Sequence, residues 1–191
     1  LYRLLELPEA QRHDLSSLSN VIYGAAPMSP GKLQSLRRKF GDIFTQIYAS
    51  TEHPGVATCM TRQDHIWEGK NGAHLASAGR SVPGTEVVIV DDAGRPVARG
   101  ERGEIWLRSR GICSGYYGNP EQTAIEFSDG FWKSGDVGYL DEAGFLYIVD
   151  RKKDVIISGG FNVYATEIEA AINAYPGVLM SAVIGIPHEE W

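Results

Sequence analysis

The chain has 191 residues, of which 43% are hydrophobic and 22% are charged, a composition that excludes a disordered chain. Its formal net charge of −6 provides no basic surface for nucleic acid or anionic lipid, so local groups must hold any anionic substrate. No apolar run reaches the roughly 18 residues of a membrane span. We expect one or two globular domains without a transmembrane segment or a nucleic-acid partner.

The first part of the chain alternates strand and helix signals. Residues 21–23 and 43–48 are short apolar runs typical of strands. Between them, Ser29 is a helix N-cap, Pro30 suits the first helical position and Gly41 ends the helix. A strand, a helix and a strand in this order predict a parallel α/β unit.

From about residue 84 the pattern changes to short strands separated by turns. Residues 85–90, 103–107 and 144–149 predict strands of an antiparallel sheet or small barrel. A short helix interrupts them, with Asn119 as its cap and the Gln122 side chain predicted to reach back to the cap.

A charged cluster at residues 150–154 separates this sheet from a final unit. Residues 155–157 predict a strand, a Gly-Gly turn follows, and Thr166 with Glu169 predicts a capping box at the start of a helix. Residues 178–186 predict the beginning of another strand. The expected apolar face of the helix comprises Ile168, Ala171, Ile172 and Tyr175.

Two segments follow the predicted strands of the α/β unit, where open α/β sheets place ligands. In Gly24-Ala25-Ala26-Pro27, small residues let a flat ring approach the backbone, although a plain strand-to-helix turn is the simpler explanation of this segment by itself. In the segment from Gln46 to Glu52, Tyr48 can stack on a base, Thr51 can donate to a phosphate oxygen and Glu52 can hold Mg²⁺. An ordinary polar loop is the alternative.

Two further segments lie later in the chain. In Ser134-Gly135-Asp136, the carboxylate can accept both hydroxyls of a ribose, or it can cap its own turn. Residues 150–160 combine a basic cluster, which could meet phosphate or be a solvated linker, with Ser158-Gly159-Gly160. The two glycines suit a plain turn or the passage of a thin ligand along bare backbone.

In their order and spacing, these four segments resemble the adenylate-forming superfamily of acyl- and aryl-CoA synthetases, luciferases and nonribosomal peptide adenylation domains. The resemblance covers nearly the whole chain and continues in residues 79–84, 100–105 and 115–120. It is strongest over residues 147–169, YIVDRKKDVIISGGFNVYATEIE, which are similar to the CoA-ligase branch.

The resemblance implies an ATP-dependent ligase that first joins a carboxylic acid to AMP and then transfers the acyl group to the thiol of coenzyme A. It implies that Gly24, Ala25, Ala26 and Pro27 line the adenine pocket and that Tyr48 stacks on adenine. Gln46 then lies beside the adenylate, Thr51 contacts the α-phosphate and Glu52 binds Mg²⁺. Asp136 holds the ribose with help from Arg151, Lys153 is a hinge, and Ser158, Gly159 and Gly160 flank the pantetheine path.

The same resemblance implies a partial α/β subdomain at residues 1–83, a β-rich distorted barrel at 84–150 and the start of a small α+β C-terminal domain at 151–191. The chain opens on Leu1 without methionine, so we expect a piece of a longer polypeptide. The family's phosphate-gripping loop and adenylating lysine are expected outside these residues, which alone should not adenylate at a useful rate. Ala49 stands where the family usually has glycine, and Ser134 where it usually has threonine.

The expected substrate is a fatty or other apolar acid. Loading of a carrier protein instead of coenzyme A, and a catalytically inactive nucleotide-binding module, stay open as alternatives. A homodimer is also left open. Cys59 and Cys113 lie far apart without CxxC spacing, and we expect no signal peptide, so reduced thiols in a cytoplasmic protein are expected.

Overall fold

The structure, a computed structural model, describes residues 1, 7, 12–26, 28–66 and 69–188. Its strands are β1 (Val21–Gly24), β2 (Phe44–Tyr48), β3 (Thr58–Met60), β4 (Arg80–Ser81), β5 (Thr85–Val90), β6 (Gly103–Ser109), β7 (Phe127–Ser128), β8 (Phe131–Leu140), β9 (Leu146–Arg151), β10 (Ile156–Ser158) and β11 (Phe161–Val163). Its α-helices are α1 (Pro30–Phe40), α2 (Arg62–Ile66), α3 (Pro120–Glu126) and α4 (Ala165–Asn173), and 3₁₀ helices cover Gly69–Ala76 and Lys152–Asp154. Within this described part, no helix is long and apolar enough to cross a membrane.

The predicted parallel α/β unit is confirmed. Strand β1 pairs in parallel with β2, and β3 and β4 extend this sheet in antiparallel fashion. Helix α1 connects the parallel strands and buries Leu33 and Leu36 completely, as its apolar spacing predicts. These two leucines pack with Tyr23, Phe44 and Met60 in one hydrophobic core.

The ends of α1 follow the local signals in the sequence. The Ser29 hydroxyl accepts a hydrogen bond from the Lys32 backbone at 3.4 Å, and Pro30 opens the helix. Gly41 ends it at a φ of 84°, where its N–H donates to the Arg37 carbonyl. A positive φ is costly for a residue with a Cβ atom, which explains glycine at this position.

The predicted antiparallel sheet is also confirmed, in the order β5-β6-β8-β7 with β9 on β8. The sequence did not predict β8, the longest strand, because it contains what reads as a turn. Opposite the single residue Ile105, β8 places three residues, Ser134-Gly135-Asp136, in an irregular bulge between the Trp106–Lys133 and Glu104–Val137 pairs. A bulge bends a strand and redirects its side chains, so a turn-like sequence here is compatible with a continuous strand.

Helix α3 begins as predicted, but one detail of its cap was wrong. The Asn119 side chain accepts from the Gln122 backbone at 3.1 Å. The Gln122 side chain, however, does not reach back to the cap, because it donates forward to Glu126 Oε1 at 2.6 Å. The acidic partner one turn later satisfies the amide instead.

The final unit departs from the prediction in four respects. The predicted capping box at α4 does not form, because the Thr166 hydroxyl donates to the Val149 carbonyl and Glu169 accepts from the Val183 backbone at 2.8 Å. The expected apolar face is largely exposed, with Tyr175 at 73%. Residues 178–186 form no strand in the described structure. The predicted strand and Gly-Gly turn do form, and both turn glycines have positive φ values, but the turn leads into β11, a strand that the sequence did not predict.

The two sheets meet at a short reciprocal pair of backbone hydrogen bonds. Ala78 N donates to the Leu146 carbonyl at 2.7 Å, and Leu146 N donates to the Gly79 carbonyl at 2.8 Å. A second core, built around Ile105, Leu107, Trp132 and Leu146, includes Ala57 and Ala78, which precede β3 and β4 of the first sheet. This contact places the carboxyl ends of β1 and β2 beside β8 and β9. The division into three domains at residues 83 and 150 stays a prediction.

Candidate functional site

A cavity of about 240 Å³ lies where the carboxyl ends of β1 and β2 face β8 and β9. We call it the first cavity. Its walls combine small side chains with a few polar groups, an arrangement suited to a flat ligand with hydrogen-bonding edges. The lining residues are Gly24, Ala25, Ala26, Gln46, Ile47, Tyr48, Ala49, Ala76, Ala78, Asp136, Ile148, Val149, Asp150, Arg151 and Thr166.

The last residue of β1, Gly24, and the residue that follows it, Ala25, are both tightly constrained. A Cβ atom on Gly24 would lie 2.4 Å from the Ile47 carbonyl oxygen, so only glycine fits the parallel pairing here. Ala25 has a φ of 66°, a left-handed conformation that costs about 1–2 kcal/mol for a residue with a side chain. Such strain concentrates at functional sites. Pro27, predicted to line the same pocket, lies outside the described residues.

Gln46 lines the first cavity, and its side chain is held from behind. The Tyr23 hydroxyl donates to Gln46 Oε1 at 3.1 Å and lies 2.9 Å from His65 Nε2. His65 Nδ1 in turn lies 2.6 Å from the Thr61 carbonyl. Burial lowers the pKa of His65, and the hydrogen bond to Thr61 opposes this effect only in part. The sequence indicated Gln46 but gave no sign of the two residues that fix it.

Tyr48, Asp136 and Arg151 converge on one edge of the cavity. The Tyr48 hydroxyl donates to Asp136 Oδ2 at 2.5 Å, and Arg151 Nε pairs with Asp136 Oδ1 at 2.9 Å. Burial, followed by the nearby Asp136 charge, raises the pKa of Tyr48, so the phenol stays a donor. Burial also raises the pKa of Asp136, an effect that the Tyr48 hydrogen bond and Arg151 reduce without reversing.

The bulge in β8 aims Asp136 at the cavity. Ser134 Oγ donates to the Ile105 carbonyl at 2.7 Å and accepts from Asp136 N at 3.0 Å, so one hydroxyl replaces the ladder hydrogen bonds lost at the bulge. Gly135 supplies the positive φ of 69° between them. Holding the bulge in this way needs a hydroxyl at position 134, which serine provides as well as the family's usual threonine.

A second cavity, of about 330 Å³, adjoins the first and shares Tyr48, Ala49, Asp136 and Arg151 with it. Thr51 and Glu52 lie on its wall. The loop that carries them is held by Ser50, whose hydroxyl accepts from His53 N at 3.0 Å, and by the Glu52 carbonyl, which accepts from Cys113 N at 2.9 Å. The site residues predicted at the end of β2 therefore lie together with those of β8 and β9.

The sequence missed three residues of the second cavity, Tyr116, Glu126 and Trp132. The Tyr116 hydroxyl donates toward Glu52 Oε1 at 2.8 Å and contacts Glu126 Oε2 more closely. Burial and the two carboxylates raise the pKa of Tyr116. Desolvation alone would raise the pKa of Glu126, but hydrogen bonds from Tyr116, Gln122 and Trp132 outweigh it and lower that pKa. No local sequence pattern links residues so far apart.

The remaining predicted site residues lie elsewhere. Lys153 is exposed in the 3₁₀ helix that follows β9, and Ser158, Gly159 and Gly160 form the β10–β11 hairpin turn. None of these four residues lines either cavity. Thr166, at the start of α4, does line the first cavity, although the sequence assigned it only a capping role.

The donor set at the second cavity suits a magnesium ion that is shared with a phosphate ligand. Within the described residues, no group of three or more His, Cys, Asp or Glu side chains could enclose a metal ion. Mg²⁺ retains several waters and is usually bound through one or two carboxylates together with phosphate oxygens. The Glu52 carboxylate on the wall of an open cavity fits this mode, and a dedicated protein cage is not required.

A family model described as AMP-binding enzyme matches residues 1–117, more than half of the chain. The chain therefore belongs to the AMP-binding enzymes, an adenylate-forming family, which confirms the resemblance seen in the sequence.

Known proteins that match this chain over nearly its whole length show which members of the family it is similar to. It is 40% identical, over 100% of its length, to the medium/long-chain-fatty-acid–CoA ligase FadD8 of Mycobacterium tuberculosis, of which it covers 33%. It is 35% identical, again over 100% of its length, to the fatty acid–[acyl-carrier-protein] ligase ScoC of Streptomyces coeruleorubidus, covering 36%. Among solved structures, the amide bond synthetase McbA of Marinactinospora thermotolerans matches with a TM-score of 0.89 and 39% identity, over 98% of this chain and 38% of that one. The chain thus spans about a third of the length of these curated relatives.

Proposed function

We propose that this chain forms the nucleotide-binding wall of an ATP-dependent carboxylate–CoA ligase that activates a medium- or long-chain fatty acid. One observation carries the proposal: Tyr48, Asp136 and Arg151 meet at the junction of two cavities. The first cavity has the small walls that a base needs, and the second has the threonine and carboxylate that phosphate and its cation need.

The first cavity suits adenosine. Gly24, Ala25 and Ala26 leave room for a flat ring against the backbone, and the Tyr48 ring lies at the edge where it can stack. Asp136 offers two acceptor oxygens to the two hydroxyls of a ribose, and Arg151 neutralises its charge from the other side. The raised pKa of Asp136 does not prevent this at neutral pH, since hydroxyl donors stabilise the ionised carboxylate.

The second cavity suits the reacting phosphate. The Thr51 hydroxyl can donate to a non-bridging α-phosphate oxygen, and Glu52 would hold Mg²⁺ beside it. Bound magnesium supplies charge neutralisation on the triphosphate. The residues of this chain hold the α-phosphorus in place for the substrate carboxylate, which attacks it and expels pyrophosphate. AMP is then a good leaving group for the attack of a thiol.

The second half-reaction needs a thiol to reach the same acyl-adenylate. The Ser158-Gly159-Gly160 turn, whose two glycines are exposed, presents bare backbone but lies outside both cavities. We propose that Lys153, in the turn between β9 and β10, is the hinge about which this hairpin approaches the site. A single rotation would then exchange the groups that face the adenylate.

Acceptor choice is the test of this proposal. The complete protein is assayed for pyrophosphate release with a series of fatty acids, and for product with coenzyme A, an acyl-carrier protein or a simple amine as acceptor. We expect fatty-acid-dependent pyrophosphate release and thioester formation with coenzyme A. Product with the carrier protein alone would favour the reaction in the name of ScoC, and product with the amine alone that of McbA. AMP binding in calorimetry without pyrophosphate release would favour an inactive nucleotide-binding module, and failure to bind AMP would favour a structural role.

A further inference from the structure

Tyr116 stands between two carboxylates on the wall of the second cavity. Its hydroxyl lies 2.8 Å from Glu52 Oε1 and still closer to Glu126 Oε2. The phenol is fixed at its base, because Tyr116 N donates to Thr123 Oγ1 at 2.9 Å and the ring packs edge-on against Phe127. The Tyr116 hydroxyl thereby joins Tyr116 to Glu52, which lies 64 positions earlier in the chain.

The Tyr116 hydroxyl has fewer protons than carboxylate neighbours. A phenol has one proton, so it can donate to only one of the two carboxylates at a time. Glu126 has two other donors, Gln122 Nε2 at 2.6 Å and Trp132 Nε1 at 3.3 Å. Among the described residues, Tyr116 is the hydrogen-bond donor that reaches the Glu52 carboxylate. The two acceptors are therefore unequal: Glu126 is satisfied without Tyr116, and Glu52 depends on it.

We propose that Tyr116 is a positioning residue for Glu52 and that Glu126 is its alternative acceptor. Without a cation, the phenol contacts both carboxylates, so that its proton can serve Glu52 and hold that carboxylate toward the cavity. When a divalent cation occupies the Glu52 lone pairs, the phenol rotates its proton to Glu126, so that neither the phenol nor the metal ligand loses a partner. No bond other than a hydrogen bond forms or breaks. This inference rests on the proposed role of Glu52 as a metal ligand.

The arrangement explains why an acidic residue is tolerated beside a metal-binding carboxylate. Two carboxylates that share a site repel each other unless donors or a cation lie between them. Here Gln122 and Trp132 donate to Glu126, and the phenol lies between it and Glu52. Partners that orient a metal ligand typically change metal affinity by about 10- to 100-fold when they are removed.

The test measures metal binding directly, with Mn²⁺ as the probe. Its affinity for the complete protein is measured by electron paramagnetic resonance in the presence of a non-hydrolysable ATP analogue. Tyr116→Phe removes the hydroxyl, and Tyr117→Phe, on the fully exposed neighbouring side chain, is the matched control. Glu126→Leu removes the alternative acceptor and Glu52→Gln the ligand itself. AMP affinity without metal reports on folding of the nucleotide site.

We expect Tyr116→Phe to weaken Mn²⁺ binding by about 10-fold or more, with AMP affinity unchanged and Tyr117→Phe equal to wild type. Glu126→Leu should weaken Mn²⁺ binding as well, since the phenol proton then competes for Glu52. Wild-type Mn²⁺ affinity in Tyr116→Phe overturns the inference, and the same result in Glu126→Leu alone overturns the part played by Glu126. If Glu52→Gln binds Mn²⁺ normally, the proposed metal ligand itself is wrong, which separates the two failures.

Discussion

Tyr48 donates its phenolic proton to Asp136 across 2.5 Å, although the two residues lie 88 positions apart in the chain. Arg151 binds the other Asp136 oxygen, so both carboxylate oxygens are already engaged. Each oxygen retains a further lone pair for a ligand hydroxyl. The carboxylate is therefore oriented before any ligand arrives, which reduces the entropic cost of binding a diol.

The ribose contact predicts a specific energetic coupling. Asp136→Ala should weaken AMP binding by about 10- to 100-fold, because hydrogen bonds to a charged acceptor contribute about 1.5–3 kcal/mol. Calorimetry with AMP and with 2′,3′-dideoxy-AMP, on wild type and variant, closes a double-mutant cycle. The variant should bind both ligands alike. A variant that still prefers AMP over the dideoxy ligand by the wild-type factor would show that Asp136 does not hold the ribose.

Burial of Asp136 also predicts a trade-off between stability and binding. Its pKa is raised above the ordinary 3.8, so the folded protein binds this proton more tightly than the unfolded chain does. The free energy of unfolding therefore falls as pH rises from about 3.8 through the raised pKa. Asp136→Asn should be more stable than wild type at pH 7, with the difference closing as pH falls toward 3.8, while AMP affinity is lost.

Asp64 is the matched control for that experiment. It is also a buried carboxylate paired with an arginine, Arg80, at 2.5 Å. Desolvation would raise its pKa, but hydrogen bonds from Thr61 and the Arg80 charge outweigh it and lower that pKa. Asp64→Asn should therefore be less stable than wild type at pH 7, the opposite sign. Urea unfolding at pH 7 and 4.5 checks both, and equal signs for the two variants would contradict this account.

The parts of the fold that the sequence predicted are those set by neighbouring residues. Helix α1 has a cap, a proline and a terminal glycine within one short segment, and each behaves as predicted. The segments after β1 and β2 could be placed together because parallel strands end at the same edge of a sheet. Their contact with Asp136 could not be derived from spacing, since it depends on how the second sheet packs on the first.

The predictions that were wrong concern features set by residues far apart in the sequence. Strand β8 was missed because Ser134-Gly135-Asp136 has turn chemistry, and only the pairing with Ile105 shows that it is a bulge inside a strand. Thr166 has the local pattern of a capping residue, but the Val149 carbonyl of a neighbouring strand takes its hydroxyl instead. Contacts with residues distant in the sequence determine the bulge in β8 and the role of the Thr166 hydroxyl, and they also determine the position of Tyr116.

His65 predicts an acid-sensitive step in stability. Its ring is held between the Thr61 carbonyl, 2.6 Å from Nδ1, and the Tyr23 hydroxyl, 2.9 Å from Nε2. Because burial lowers the pKa of His65 below the ordinary 6.5, the unfolded chain takes up a proton first as pH falls. Stability should be lost from about pH 6.5 downward. His65→Gln should flatten the dependence of the unfolding free energy on pH, and His13→Gln, at an exposed position, should leave it as in wild type. A wild-type slope in His65→Gln would contradict the assignment.

Two glycines with nearly equal backbone angles separate conformational strain from close packing. Gly79 and Gly84 have φ values of 88° and 86°. A Cβ atom on Gly79 would lie 2.1 Å from the Cys59 carbonyl carbon of β3, whereas one on Gly84 would meet nothing within 4 Å. Gly84→Ala should cost about 1–2 kcal/mol through backbone strain alone. Gly79→Ala should cost about 1–3 kcal/mol more, because the backbone of β3 must move away from the new methyl group. Chemical denaturation of both variants measures this difference. Equal losses would show that β3 can move away from residue 79 without penalty, in conflict with the close backbone contact between Gly79 and Cys59.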